Sequence, residues 1–293
     1  MLRKGVPWGS PFRWCAERGG EKEAERSADV DPVTWLFYLV AFGACILGKI
    51  CGMGGGVIIK PVLDACGILS VGTINFLSGC TVLGMTCWSV GKTTLRRESA
   101  IDFRVSTPLA VGAALGGIAG KAVYARVAAL FADADTAGGV QACLLFAATF
   151  ATLLYTLKKD QIPSKHVSDP IRCIVIGVIL GWLGAFLGIG GGPFNMAVLY
   201  YFFSMPTKTA AQNSLYIILF SQAFGVLQTV FAGNVPEFSA VILTGMVLCG
   251  VIGSEVGGRI NKRMDDRAVT RLFVGAMVLI LCINVYNIAR YLF

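Results

Sequence analysis

Charge is what this chain has least of. Of its 293 residues only 14% are charged and 55% are hydrophobic, where a soluble domain carries about 25% charged residues. That is too little charge to cover a water-facing surface. Histidine is nearly missing as well: His166 stands alone, which excludes haem held by two histidines and His-rich metal sites. The ten cysteines form no C-x-x-C pair, and all but Cys15 lie in or beside apolar runs. Cysteine packs there as a small hydrophobe, so disulfides and thiolate metal sites are not expected. No nucleophile elbow, H-E-x-x-H or Walker A stretch occurs. No cofactor or metal is expected, and an enzyme would lack a recognisable nucleophile, base or metal set.

What the chain has instead is long apolar runs, with a mean hydropathy of +0.70. Ten of them, each about as long as a bilayer crossing needs, are separated by short charged loops. They are Val33–Cys51, Met53–Leu69, Gly72–Gly91, Val105–Tyr124, Gly139–Leu157, Ile171–Leu187, Ile189–Met205, Thr209–Ala232, Phe238–Gly258 and Val269–Tyr291. The expected fold class is an all-α polytopic membrane protein, because a transmembrane barrel shows short alternating segments. The net charge of +8 is spread over inter-helix loops, where the positive-inside rule accounts for it. The lipid bilayer is therefore the expected partner and nucleic acid is not. Residues 1–32 are polar, mixed in charge and rich in Gly and Pro, without the apolar core of a signal peptide. They read as a disordered tail.

The rest of the chain repeats itself. A shift of 136 carries Gly52, Gly54, Gly55 and Gly56 onto Gly188, Gly190, Gly191 and Gly192, and Thr73 and Ser78 onto Thr209 and Ser214. After a three-residue deletion, a shift of 133 carries Gly112, Gly117, Gly120 and Arg126 onto Gly245, Gly250, Gly253 and Arg259. Two transmembrane repeats of about five segments follow, 33–157 and 171–293, joined by a linker at 158–170. Basic residues mark the loops Lys92–Arg104, Lys158–Arg172 and Arg259–Arg271 as cytoplasmic; the loops at Phe131–Gly138 and Gly233–Glu237 carry none and read as external. Equivalent loops thus face opposite sides, the signature of an inverted repeat.

Each half carries a G-x-G-G-G stretch inside its apolar sequence: "CGMGGGVIIKPVL" from Cys51 and "LGIGGGPFNMAVL" from Leu187. Irregular backbone survives in hydrocarbon only when buried in protein or beside a wet cavity, so these stretches read as broken or re-entrant helices. A helix starting after such a break points free N–H groups at it, which suits an anion. The candidate substrate-binding glycines are Gly54, Gly55, Gly56, Gly190, Gly191 and Gly192. Pro61 follows the first motif, whereas Pro193 directly abuts the second, so the second break is expected to differ in shape. The small-residue stretches at Gly112–Gly120 and Gly245–Gly258 read instead as close helix packing.

The two motifs, and the serine-bearing helix after each, resemble the sulfite exporter TauE/SafE family of membrane permeases over nearly everything after residue 33. The resemblance implies a multi-pass cell-membrane carrier of small sulfur-containing anions such as sulfite or organosulfonates, often outward.

Polar groups within apolar runs complete the candidates. Lys49 and Lys60 flank the first motif; Lys60 would either charge an anion site or snorkel, and Asp64, one turn on, would neutralise it. Asp64 and Glu255, the acids well inside apolar runs, are candidates for coupling to a proton or other ion, against a role in structural ion pairs. Asn75 and Ser78 after the first motif, and Gln212, Asn213 and Ser214 after the second, offer neutral donors to an oxyanion or bonds between helices. A membrane scaffold or a membrane-embedded enzyme remains the alternative to transport.

Overall fold

Helices account for most of the described chain, which in this computed structural model comprises residues 32–97, 99–128, 134–189 and 191–292. Ten α-helices follow one another among the described residues: α1 (Pro32–Cys51), α2 (Gly56–Cys66), α3 (Val71–Leu95), α4 (Phe103–Ala128), α5 (Ala134–Lys158), α6 (Pro170–Phe186), α7 (Pro193–Phe203), α8 (Thr207–Phe231), α9 (Ala240–Arg263) and α10 (Asp266–Leu292). No strand occurs among the described residues. Residues 37–293 form one unit; of the other, Met1–Leu36, only the first turn of α1 is described. The rest of the expected tail, and Gly190, lie outside the described residues.

Seven helices, all but α2, α6 and α7, are long and apolar enough to cross a bilayer. The runs Met53–Leu69 and Ile189–Met205 do not become full spans. Their helices α2 and α7 have 11 residues each, about 16 Å at the α-helical rise, or half a hydrocarbon core. Residues at the head of each run are spent on the glycine break, and Gly67 (φ 63°) and Ser204 (φ 51°) stop the helices in the left-handed conformation. Element order repeats accordingly: a helix of 20 or 17 residues, one of 11, then three of 24 to 27 residues, twice. Moved by 136, α3 lands on α8 residue for residue.

The three basic loops gather at one end of the bundle. Ala100 N donates to Gln212 Oε1 at 2.9 Å, Lys159 Nζ to Thr207 Oγ1 at 3.4 Å, and Lys208 N to Asp266 Oδ1 at 2.9 Å. At the other end, Thr73 Oγ1 at the start of α3 donates to the Glu237 carbonyl at 3.4 Å. Arg290 at the end of α10 caps the last turn of α2 through the Asp64 and Ala65 carbonyls, at 3.0 and 2.9 Å.

Small residues let the long helices meet backbone to backbone. A Cβ at Gly112, Gly116 or Gly120 of α4 would strike the carbonyls of Ile174, Val178 or Trp182 on α6, and one at Gly177 or Gly181 of α6 would strike Leu109 or Ala113. α9 meets α1 the same way: Gly253 faces the Phe42 carbonyl and Gly257 that of Ile46. Leu109, Leu145, Met196, Leu199 and Phe273 fill the interior, while Leu115, Phe150, Ile179, Leu248 and Ile252 point outward. An apolar exterior of this kind matches lipid.

Candidate functional site: two broken helices between two cavities

Each glycine motif opens a gap between helices. After α1 ends at Cys51, Gly52 turns the chain at φ 71°, and Gly54 and Gly55 return against Gly48 and Cys45, in the last two turns of α1. Position 52 demands glycine twice over, since a Cβ there would also strike the backbone of Ala211 on α8. The second gap opens identically, with Gly188 at φ 71°, then diverges: Gly191 and Gly192 hold φ 131° and 126°, where Gly55 is α-helical at −70°. Pro193 supplies the reason, because a proline without N–H is best placed as the first residue of a helix and fixes where α7 begins.

The gaps meet each other. A Cβ at Gly56 would lie 3.1 Å from Ser78 Oγ, 3.2 Å from Val82 Cγ2 and 3.5 Å from the Ile189 carbonyl, and one at Gly192 would lie 2.8 Å from Val57 Cγ2. Gly54 and Gly191 both face Ile218 of α8. The first turns of α2 and α7 therefore lie together around Val57, Val82, Ile189 and Ile218, all buried apart from water.

Two cavities lie on either side of this apolar seal. The first, about 400 Å³, opens among the basic loops and is lined by Lys49, Lys92, Arg96, Lys208, Arg259 and Lys262, with Glu255 as its one acid among the described lining residues. The second, about 470 Å³, lies toward the opposite end, with Asn75, Lys121, Gly188, Gln222, Gln228 and Asn234 among its lining residues.

The structure gathers Gly54, Gly56, Ser78, Gly191 and Gly192 at the seal, with Gly55 tucked behind it against Cys45 Sγ. Asn75 reaches the inner end of the second cavity beside Gly188. Lys60 is 3% exposed and does not snorkel. Its Nζ donates to Gln141 Oε1 at 2.5 Å and to the Leu187 carbonyl at 2.9 Å, while Gln141 Nε2 donates to the Phe186 carbonyl at 2.7 Å. The carbonyls at the end of α6, left without helical partners, are thus satisfied from α2 and α5. Lys60 forms no ion pair with Asp64, whose Oδ1 is without a partner among the described residues. Pro61 lies inside α2, and its carbonyl accepts from Asn287 Nδ2 at 2.9 Å.

Other candidates lie apart from the seal. Asn213 is committed to the chain between α3 and α4: Oδ1 accepts from Asp102 N at 2.9 Å and Ser106 Oγ at 2.5 Å, and Nδ2 donates to the carbonyls of Ala100 and Thr209. Gln212 lines the basic cavity, and Glu255 does so in the grip of Lys92, Arg259 and Trp88 Nε1. Ser214 Oγ is buried without a partner among the described residues.

Three polar residues escape a reading of the sequence. Gln141 and Lys121 carry the signal used for Lys60, a polar group within an apolar run. Lys121 is hidden by the helix-packing glycines before it. Asn195, inside the second motif, is 1% exposed with Oδ1 unpartnered among the described residues. Among those residues no group of three His, Cys, Asp or Glu could hold a metal ion.

These elements define a polytopic α-helical membrane protein. The family model described as Sulfite exporter TauE/SafE matches residues 37–285, and the chain belongs to that family. It is also similar to a Bacillus subtilis (strain 168) protein named "Probable membrane transporter protein YunE", with 29% identity over 114 residues. That match covers 39% of this chain and 41% of the relative, so the chain spans less than half of the curated relative's length. No solved structure matches.

Proposed function

We propose that the protein is a secondary carrier, not an enzyme, that moves small anions of the sulfite or organosulfonate type across a cell membrane by alternating access. Family membership and the transporter named among its relatives support the class. The observation that carries the reading is the meeting of Gly56 with Ile189 and of Gly192 with Val57, which sets two helix N-termini together between two cavities. Helix starts of this kind favour anions. A seal with a cavity on either side is what alternating access requires, because the site must open to one end at a time.

An inverted repeat accounts for the arrangement. α1 ends at the basic end, where Asn261 Nδ2 donates to the Ile50 carbonyl at 3.0 Å, whereas α6 begins in the basic linker. The halves then rock against each other about the seal. With the basic end cytoplasmic, the anion is collected inside by lysine and arginine and released outward from the less charged cavity, coupled to a proton or other ion. Residues 158–170 act as the linker between repeats.

The test is flux of labelled sulfite in reconstituted vesicles. Gly55→Val places side-chain carbon against Cys45 Sγ, and Gly191→Val against Ile218. Both variants are expected to insert yet lose flux. Wild-type flux in either, or no flux of sulfite or any sulfonate by the unmodified protein, refutes the reading.

A further inference from the structure

The two cavities are one pocket built twice. Moved by 136, the basic cavity's Ser89, Thr93, Arg96 and Ala211 fall on Gly225, Thr229, Ala232 and Asn75, all of which line the second cavity. Moved by 133, Glu255 and Gly258 fall on Ala122 and Ala125, again lining residues. The walls correspond by position, and most of the charge lies in the first cavity.

One charge survives in both pockets, and it has changed walls. Lys49 of α1 donates from Nζ to Ser89 Oγ at 2.5 Å. In the second pocket Lys121 of α4 donates to the carbonyl of Gly225, the counterpart of Ser89, at 2.5 Å and to Thr229 Oγ1 at 3.1 Å. Yet the two lysines are not counterparts. Lys49 corresponds to Ala185 on α6, and Lys121 corresponds to Ser254 on α9, both of which line the respective cavities. Two lysines from non-equivalent helices thus deliver an ammonium to equivalent places.

Helix packing does not explain this. Packing is satisfied by Ala185 and Ser254 at the same positions, and each ammonium turns onto a neighbouring helix, Lys49 from the last turn of α1 and Lys121 from about two turns before the end of α4. Neither lysine takes part in the ion pairs formed among the described residues, and Lys121 is the one charged side chain among the described residues lining its cavity. An ammonium within a membrane span is costly unless a counter-ion or water serves it. Of three donors, Lys49 commits one and Lys121 two to the described residues, so, among those residues, each keeps at least one for a ligand.

We infer that Lys49 and Lys121 each hold one oxyanion, a sulfite or the head group of a sulfonate, giving the chain two anion positions on opposite sides of the seal. The carrier reading supplies the order in which they fill; occupancy itself does not depend on it. Arg96 and Lys208 line the same cavity as Lys49, where Lys92 pairs with Glu255; this position is the tighter of the two and the one weakened more by salt.

Calorimetric titration of the purified full-length chain in detergent with sodium sulfite tests this. The unmodified protein is expected to bind two anions, the tighter one losing affinity as ionic strength rises. Lys49→Met weakens the tighter step, and Lys121→Met the other, by about tenfold or more, as a lost charge-assisted hydrogen bond requires. Lys49→Ala with Ser254→Lys moves the ammonium to the wall used in the second pocket and restores the tighter step. General misfolding would not be repaired by a lysine on another helix. Absence of sulfite binding, two steps indifferent to both lysines, or no rescue on relocation overturns the inference. Vesicle flux measured alongside separates the two ideas: two steps without flux sinks only the carrier, and flux with binding indifferent to both lysines sinks only this assignment.

Discussion

The Lys60 Nζ of α2 lies 2.9 Å from the carbonyl of Leu187, which ends α6 in the other half of the chain. An ammonium from the first glycine motif therefore completes the backbone of the second, with Gln141 bridging to the neighbouring carbonyl. The contact ties the two breaks together behind the seal.

Removing that ammonium strands two buried acceptors, the Leu187 carbonyl and Gln141 Oε1. Lys60→Met is expected to lower stability by about 2–6 kcal/mol, since each orphaned buried group costs about 1–3 kcal/mol. Adding Gln141→Leu to that variant should cost far less than Gln141→Leu alone, because the shared network is already broken. Thermal unfolding in detergent of both single variants and the double variant checks the coupling; additive losses refute it.

Gly52→Ala should destabilise the protein by about 2 kcal/mol or more, combining left-handed backbone with overpacking. The added methyl would lie 2.6 Å from the Ala211 side chain at φ 71°. Gly258→Ala, whose Cβ would meet Lys49 Cε at 3.5 Å, is the tolerated control. Equal unfolding temperatures for the two variants would contradict the geometry of the break.

The α4–α6 interface predicts a different failure. Gly116→Leu drives a side chain into the Val178 backbone, 2.7 Å from its carbonyl carbon, and these helices cannot separate without opening the core. Folded yield after size-exclusion chromatography should collapse, whereas Gly275→Leu, with nothing within 4 Å, should leave it unchanged.

Ile218 is the wall shared by Gly54 and Gly191. Ile218→Ala is expected to cost about 2–5 kcal/mol in stability and to let the two cavities communicate, so that labelled anion leaks without exchange for anion on the far side. Ile218→Val, with one methylene fewer, should retain exchange. Leak rates in vesicles distinguish the variants, and an Ile218→Ala protein as tight as wild type would show that the seal lies elsewhere.

Much of this was written in local order. Three adjacent glycines cannot pass unnoticed in a chain otherwise built for helices, and Gly52 and Gly188, 136 residues apart, adopt the same φ of 71°. The difference between the breaks was legible too, because Pro193 fixes a helix start whatever surrounds it. Destinations were not legible. Lys60 read as a snorkelling lysine, a partner for Asp64 or an anion ligand; it does not snorkel, and its Nζ bonds to Gln141 and the Leu187 carbonyl. Asn213 had the profile of a substrate donor, yet its amide holds the chain near Ala100 and Asp102. Lys121 passed as one more residue of a packing helix.

Backbone conformation at a glycine or proline depends on that residue and its neighbours, so linear order was enough to say where the helices break and that the chain lives in lipid. Which break faces which, and where each buried ammonium ends up, depends on surfaces contributed by helices more than a hundred residues apart. α4 against α6 and α1 against α9 bring glycine faces together that carry no label naming their partner. Only when those backbones close up do two pockets appear, and only then do Lys49 and Lys121 come to equivalent places from different walls.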